Sequence, residues 1–382
     1  MQNSKDKLLF TPGPLTTALK TKEAALIDLG SRDSAFISIV QQIRQKLLEL
    51  AHVESPDYEA VIMQGSGTFG IESVISSAIP SNGTLLNIIN GAYGRRISQI
   101  ARIHSIPLIE LNYDENQLPD LSQIEAALDA DPQITHVAVI HGETTTGLLN
   151  PIDEIGAIAA YHNKVFIVDA MSTFGAYDID LGEQNINYLI SSSNKCIEGI
   201  PGFSYVLAKR SDLEKCKNQA RTLSLDIYDQ WLGLNINGQF RFTPPVQSLL
   251  AFNEALNELA KEGGIASRAK RYAENNSILI SGMEKLGFKT FLPENIRSYI
   301  ITSFLYPSHP NFSFEVFDSN LNEKGYVIYP GKLSKVDCFR IGNIGQLFFF
   351  DIQMLVDAIE KVLFELKIDL KEIHKDSYEQ FV

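Results

Sequence analysis

The chain has 382 residues, 45% hydrophobic and 21% charged, with 33 basic against 46 acidic side chains and a formal net charge of −13. Such an acidic balance disfavours nucleic acid as the main partner, because phosphate neutralisation needs a dense basic surface. The length favours two domains or a large α/β domain with an appendage, and the three cysteines, Cys196, Cys216 and Cys338, form neither a disulfide framework nor a close metal-ligand pair.

The segment Met1 to Lys7 lacks the apolar core of a signal peptide, and no stretch approaches ~18 uninterrupted apolar residues. Both features predict a soluble, cytoplasmic protein without a membrane partner. Thr11-Pro12-Gly13-Pro14 is rigid punctuation, so residues 1–15 are expected to form an extended arm. Apolar positions at Ile37, Val40, Ile43, Leu47 and Leu48 predict a helix over 37–50. Strand-like runs then alternate with helical periods: Ala60 to Met63, Leu85 to Ile89, His136 to Ile140, Val165 to Val168 and Ile186 to Ile190. This alternation predicts a mostly parallel sheet flanked by helices over residues 16–255. Beyond Pro244-Pro245, residues 246–275 read as helical. Ser298 to Leu305, Val327 to Tyr329 and Cys338 to Ile341 read as strands of a smaller C-terminal α/β domain over 256–370, closed by a helix over 346–366. Residues 367–382 read as a mostly polar end that frays, with a tail over 371–382.

In an open parallel sheet, chemistry sits beyond the carboxyl ends of the strands, and the polar clusters of this chain fall there. Gly65-Ser66-Gly67-Thr68 offers successive N–H groups and two hydroxyls at a helix start, an anion site. On its own, a capped tight turn explains that segment equally well. Its spacing also matches a dinucleotide fingerprint, but the ribose-binding acid is missing from the end of the next strand. Tyr93, among Gly91, Ala92 and Gly94, is able to lay its ring on a planar cofactor or to serve as a rim aromatic. Within His141 to Gly147, Thr144 offers a hydroxyl, and His141 reads as a packed residue rather than a base. Asp169 follows a strand directly. It suits a protonated ring nitrogen better than a metal, for which no His/Asp/Glu cluster is evident. Lys195, in Ser191-Ser192-Ser193-Asn194-Lys195-Cys196-Ile197-Glu198-Gly199, is an amine at the mouth of the sheet, suited to a Schiff base. Arg340 stands on an apolar strand, where a guanidinium is costly unless paired, and offers a planar fork to a carboxylate or phosphorus oxyanion. Arg32 and Arg241 are weaker candidates, because surface ion pairs explain them.

Together these residues resemble the fold-type I pyridoxal-phosphate aminotransferases, in the branch of alanine–glyoxylate and serine–pyruvate enzymes. The resemblance runs from Leu9-Phe10-Thr11-Pro12-Gly13-Pro14 to the final helix. It is strongest in Asn194 to Phe203, Gly325 to Lys332 and Asp337 to Gly345. It implies a large cofactor domain, a smaller C-terminal domain and a homodimer with shared active sites. By the same resemblance Lys195 is the Schiff-base lysine, Asp169 the ring-nitrogen partner and Tyr93 the stacking residue. Ser66, Gly67 and Thr68 form the phosphate loop, Thr144 contacts the ring, Thr243 is a phosphate contact from the other subunit, and Arg340 binds the substrate anion. The implied reaction is ping-pong transfer of the amino group of 2-aminoethylphosphonate to pyruvate, with an alanine–glyoxylate or serine–pyruvate exchange as the alternative. Glu198, Ser204 and Ser193 depart from the expected glutamine, glycine and alanine, and Glu198 reads as structural or solvent-facing unless it tunes the imine.

Overall fold

The computed structural model describes residues 7–333 and 335–370. Residues 1–6 of the expected arm and the expected tail over 371–382 lie outside them. A seven-stranded sheet runs in the order Tyr58–Gln64, Phe203–Lys209, Tyr188–Ser192, Val165–Asp169, Ile134–Ile140, Thr84–Ile89 and Leu108–Asn112. All pairings are parallel except the two made by Phe203–Lys209. That strand follows Tyr188–Ser192 after a short loop with no crossover helix, so the two lie antiparallel, as short connections require. The other six point one way, and their carboxyl ends open on one edge.

Central strands such as Val165–Asp169 and Tyr188–Ser192 are buried almost throughout, because helices cover both faces of the sheet. The helix expected over 37–50 is Ser34–Glu49, and it buries Val40, Ile43 and Leu47 against the sheet. Residues 246–275 form two helices, Val246–Glu262 and Gly264–Lys285. They are separated by Gly263, whose φ of 107° lies in the left-handed region that glycine adopts freely. The first helix runs unbroken through residue 255, and its buried Phe252, Leu256 and Leu259 belong to the core of the large sheet. Leu259 is the last residue of this helix buried in that core.

A second core gathers Leu279, Met283, Phe304, Phe339, Leu355 and Ile359 around the antiparallel sheet Ile301–Leu305, Cys338–Gly342 and Tyr329–Pro330. The segment expected as one strand over 327–329 is divided. Tyr326–Val327 pairs in parallel with Leu8–Leu9, and Tyr329–Pro330 pairs with the strand of Arg340. Within the described part of the expected arm, Leu8 and Phe10 join the smaller core, where Phe10 is fully buried. Ile368 and Leu370 are buried in the same core, so the fraying expected from residue 367 does not begin there. Among the described residues no helix is long and apolar enough to cross a membrane.

Candidate active site

Ser66, Gly67, Thr68, Tyr93, Thr144, Asp169 and Lys195 line one cavity of about 290 Å³ at the carboxyl edge of the large sheet. Segments far apart in the chain meet there because each follows a parallel strand.

Lys195 sits in the loop between Tyr188–Ser192 and Phe203–Lys209, and its Nζ donates to the Pro12 carbonyl at 2.6 Å. The arm reaches it because Gly13, at φ 122°, leaves no space for a side chain: a Cβ there would stand 2.7 Å from Nζ. Burial lowers the ammonium pKa, against the attraction of Tyr93, Cys196 and Asp169. The neutral, nucleophilic amine is thereby favoured. Asp169 closes its strand and accepts the Met171 N–H at 2.9 Å. Burial raises its carboxyl to about 7, Glu143 adds to the rise, and Lys195 and Arg96 oppose it.

Ser66 precedes helix Gly67–Ala78, yet its side chain makes no capping hydrogen bond, so the plain cap does not account for it. Thr68 Oγ1 accepts from Arg96 Nη1 at 3.1 Å, and Arg96 lines the same cavity. Sequence reasoning missed Arg96, although a signal existed. It lies three residues after Tyr93 on helix Ala92–Ile103, hence on the same face. A cation beside an N–H-rich loop completes an anion cradle.

Tyr93 stands in the first turn of that helix. Beneath it lies Glu143, fully buried and also missed from sequence, with burial raising its pKa. Its carboxylate accepts N–H groups of Gly94 at 3.3 Å and of Thr145 at 3.1 Å, tying the helix start to the Thr144 loop. Gly91 is required here, since a Cβ would fall 2.2 Å from Glu143 Cδ. Burial alone would raise the Tyr93 phenol. Lys332, a hydrogen bond with Thr144, and Lys195 outweigh it and hold the phenol below its ordinary value.

Arg340, 2% exposed on the strand of the smaller sheet, is not itself among the residues that line the cavity but bonds to one that is. Its Nη1 donates to the Thr144 carbonyl at 2.8 Å and its Nε to the Pro330 carbonyl at 3.0 Å. Among the described residues it has no carboxylate partner within ion-pair distance, and neither do Lys195, Arg96 or Lys332. In a chain of net charge −13, three cations without salt bridges, Arg96, Lys332 and Arg340, stand at or beside one cavity, a concentration of positive charge that suits an anion.

Thr243 is not part of this cavity. It is exposed in a separate groove with Arg32 and Arg241, beside Gln64, whose Nε2 donates to the Phe242 carbonyl at 3.0 Å. Arg241 pairs with Asp229 at 3.4 Å and donates to the Leu223 carbonyl, as a structural arginine does. Burial pushes the His141 imidazole down to about 3, and its Nδ1 has no hydrogen-bond partner, so it is a packed neutral ring against Tyr177. Glu198 turns away from the cavity at φ 64° and binds Arg271 at 2.8 Å and the Tyr272 hydroxyl at 2.5 Å, a structural latch between the Lys195 loop and helix Gly264–Lys285. Ser193 donates to the Ile200 carbonyl, and Ser204 fills the space beside Gly70. The Cys196 thiol, pushed up to about 12 by burial, donates to the Ser172 carbonyl and is no nucleophile.

The class-V aminotransferase family model matches residues 21–332. The chain is 50% identical, over 94% of its length and 98% of the relative's, to a 2-aminoethylphosphonate–pyruvate transaminase of Vibrio vulnificus (strain YJ016). It is 48% identical to one of Salmonella heidelberg (strain SL476), over 95% and 100%. Among solved structures, an alanine–glyoxylate aminotransferase from Nostoc sp. superposes with a TM-score of 0.87 at 23% identity, over 94% of this chain and 96% of that one, a likeness of fold. The chain belongs to the class-V aminotransferase family, whose members depend on pyridoxal phosphate.

Proposed function

We propose that this enzyme transfers the amino group of 2-aminoethylphosphonate to pyruvate, giving phosphonoacetaldehyde and L-alanine, in phosphonate catabolism. The two relatives that share about half of its residues over nearly the whole chain are named for this reaction. The observation in the structure that carries the reading is Arg340: a buried guanidinium without a carboxylate, bonded to the Thr144 carbonyl beside the cavity that holds Lys195 and Asp169. The alanine–glyoxylate alternative has only a likeness of fold behind it.

The cavity fits pyridoxal 5′-phosphate. Asp169 is a buried carboxyl with one backbone donor, suited to a protonated ring nitrogen. Ser66, Gly67, Thr68 and Arg96 suit the phosphate, Tyr93 the ring face and Thr144 a ring oxygen. When bound, the cofactor supplies a carbonyl carbon for amines and an electron-withdrawing ring that spreads the charge left by proton removal. Lys195 supplies the amine that holds the cofactor. Once displaced by substrate, it takes the proton from the substrate carbon that bears nitrogen. The arm over Nζ, through Pro12 and Gly13, screens that proton from water. Arg340 orients phosphonate and pyruvate carboxylate in turn, so one anion pocket serves both halves of a ping-pong cycle.

We further propose a cytoplasmic homodimer. Phe69 and Phe242, 49% and 46% exposed, flank Gln64 at the mouth of the phosphate loop, and Thr243 stands beside them. A second subunit seated there buries both rings and delivers its Thr243 to the neighbouring phosphate site. Lys195→Ala tests the assignment: the variant should lose turnover by roughly 10²–10⁴-fold, and normal turnover would refute the role of Lys195.

A further inference from the structure

Three of the basic side chains at or beside the cavity have a role: Lys195 reacts, Arg96 joins the phosphate cradle and Arg340 takes the substrate anion. Lys332 does not. It follows strand Tyr329–Pro330, which pairs with the strand of Arg340 so that Tyr329 lies opposite Arg340. The same segment is fastened a second time, because Arg340 Nε holds the Pro330 carbonyl at 3.0 Å. Gly331 then lies flat on Cys338, with its N–H donating to the Cys338 carbonyl at 2.9 Å. A Cβ at Gly331 would stand 2.3 Å from that oxygen, so only glycine permits the approach. The path of the chain therefore delivers Lys332 to the cavity from the same sheet as Arg340.

Lys332 Nζ donates to the Tyr93 hydroxyl at 3.2 Å and stands 5.0 Å from the ring centroid. The Arg340 guanidinium is drawn to the same phenol, and its Nη1 holds the carbonyl of Thr144, which lines the cavity with Tyr93. Two cations thus stand beside Tyr93, and among the described residues neither has a carboxylate within ion-pair distance. A single guanidinium matches a carboxylate in charge and in its two oxygens. A phosphonate carries a third oxygen and a second ionisable position, which one arginine leaves unmet.

We infer that Lys332 is the second cation of the phosphonate pocket, binding the third oxygen of the donor and setting its preference for a phosphonate over a carboxylate. The inference rests on the donor assignment proposed above. Pyruvate uses the same pocket through Arg340 alone, which lets one site accept a dianion in one half-cycle and a monoanion in the other.

The test compares wild-type holoenzyme with Lys332→Gln and Lys332→Arg. Dissociation constants for ethylphosphonate and propionate, unreactive mimics of the two anions, are measured by calorimetry. The kcat/KM values of 2-aminoethylphosphonate and L-alanine are measured in single half-reactions. Loss of a charge-assisted hydrogen bond should lower the phosphonate-over-carboxylate ratio about ten-fold in Lys332→Gln, in both binding and kcat/KM, and Lys332→Arg should restore most of it. An unchanged ratio in Lys332→Gln, or an equal loss for both anions, overturns the inference while leaving the donor assignment intact. A wild-type enzyme that binds ethylphosphonate no better than propionate and does not react with 2-aminoethylphosphonate overturns the donor assignment and the inference together.

Discussion

At the scale of single residues, burial is the force that prepares the site. The desolvation that lowers the Lys195 ammonium also raises Asp169 to about 7, so the pair differs from free lysine and aspartate in opposite senses. A protonated ring nitrogen beside Asp169 favours the ionised carboxyl, which becomes that nitrogen's partner. Asp169→Asn removes that partner and should lower kcat by roughly 10²-fold or more while the cofactor's phosphate contacts persist; a variant with wild-type kcat would contradict the pairing. The positions of both were legible in sequence, because Asp169 directly follows an apolar strand run and Lys195 lies in the polar turn just beyond another. Thr144 was legible for the same reason. Glu143 was not, since nothing local shows that a carboxylate in His141 to Gly147 turns inward to the start of helix Ala92–Ile103. Glu198 was half legible. Its departure from glutamine stood out, but its partners Arg271 and Tyr272 lie more than 70 residues away in the chain.

At the scale of elements, strands and helices converge because tight contacts hold their ends in register. Gly91 is the clearest case: its missing Cβ lets Glu143 reach the helix N-terminus and fix Tyr93. Gly91→Ala should destabilise the fold by about 1–3 kcal/mol through overpacking and weaken cofactor retention as Tyr93 shifts. Urea unfolding and cofactor titration check this, and a variant with unchanged stability and retention would show that Glu143 gives way freely. Gly263 sets the break between the two long helices, and Gly263→Ala should cost about 1–2 kcal/mol for a left-handed backbone. Hydrophobic period placed most elements within a few residues. It did not place the helix break, which the Gly263-Gly264 pair marks, both glycines having positive φ. Nor could it show that Phe203–Lys209 runs against its neighbours, since a buried strand has the same apolar pattern in either direction.

At the scale of the whole molecule, buried titrating groups link stability to pH. The His141 and His136 imidazoles are pushed by burial from 6.5 to about 3 and about 4. Below 6.5 the unfolded chain takes up protons that the folded chain refuses, so both histidines cost stability as pH falls toward those values. Asp169 acts in the opposite sense, its contribution being lost as pH rises from 3.8 toward 7. His141→Phe isolates one part: the difference in unfolding free energy should move by about 2 kcal/mol in the variant's favour between pH 7 and pH 5, and a pH-independent difference would contradict the buried neutral ring. Subunit assembly belongs to this scale too. Phe242→Asp should shift the enzyme toward monomers in sedimentation and weaken cofactor binding, because Thr243 lies outside its own subunit's cavity. Unchanged sedimentation would place the interface elsewhere. The central claim joins Lys195, Asp169 and Arg340 in one aminophosphonate transaminase. Its most direct test mixes cofactor-loaded enzyme, without pyruvate, with 2-aminoethylphosphonate in a stopped-flow spectrophotometer. The bound cofactor's visible absorbance should fall rapidly, with one equivalent of phosphonoacetaldehyde formed per site; a fully loaded enzyme whose spectrum does not respond to the phosphonate would contradict the assignment.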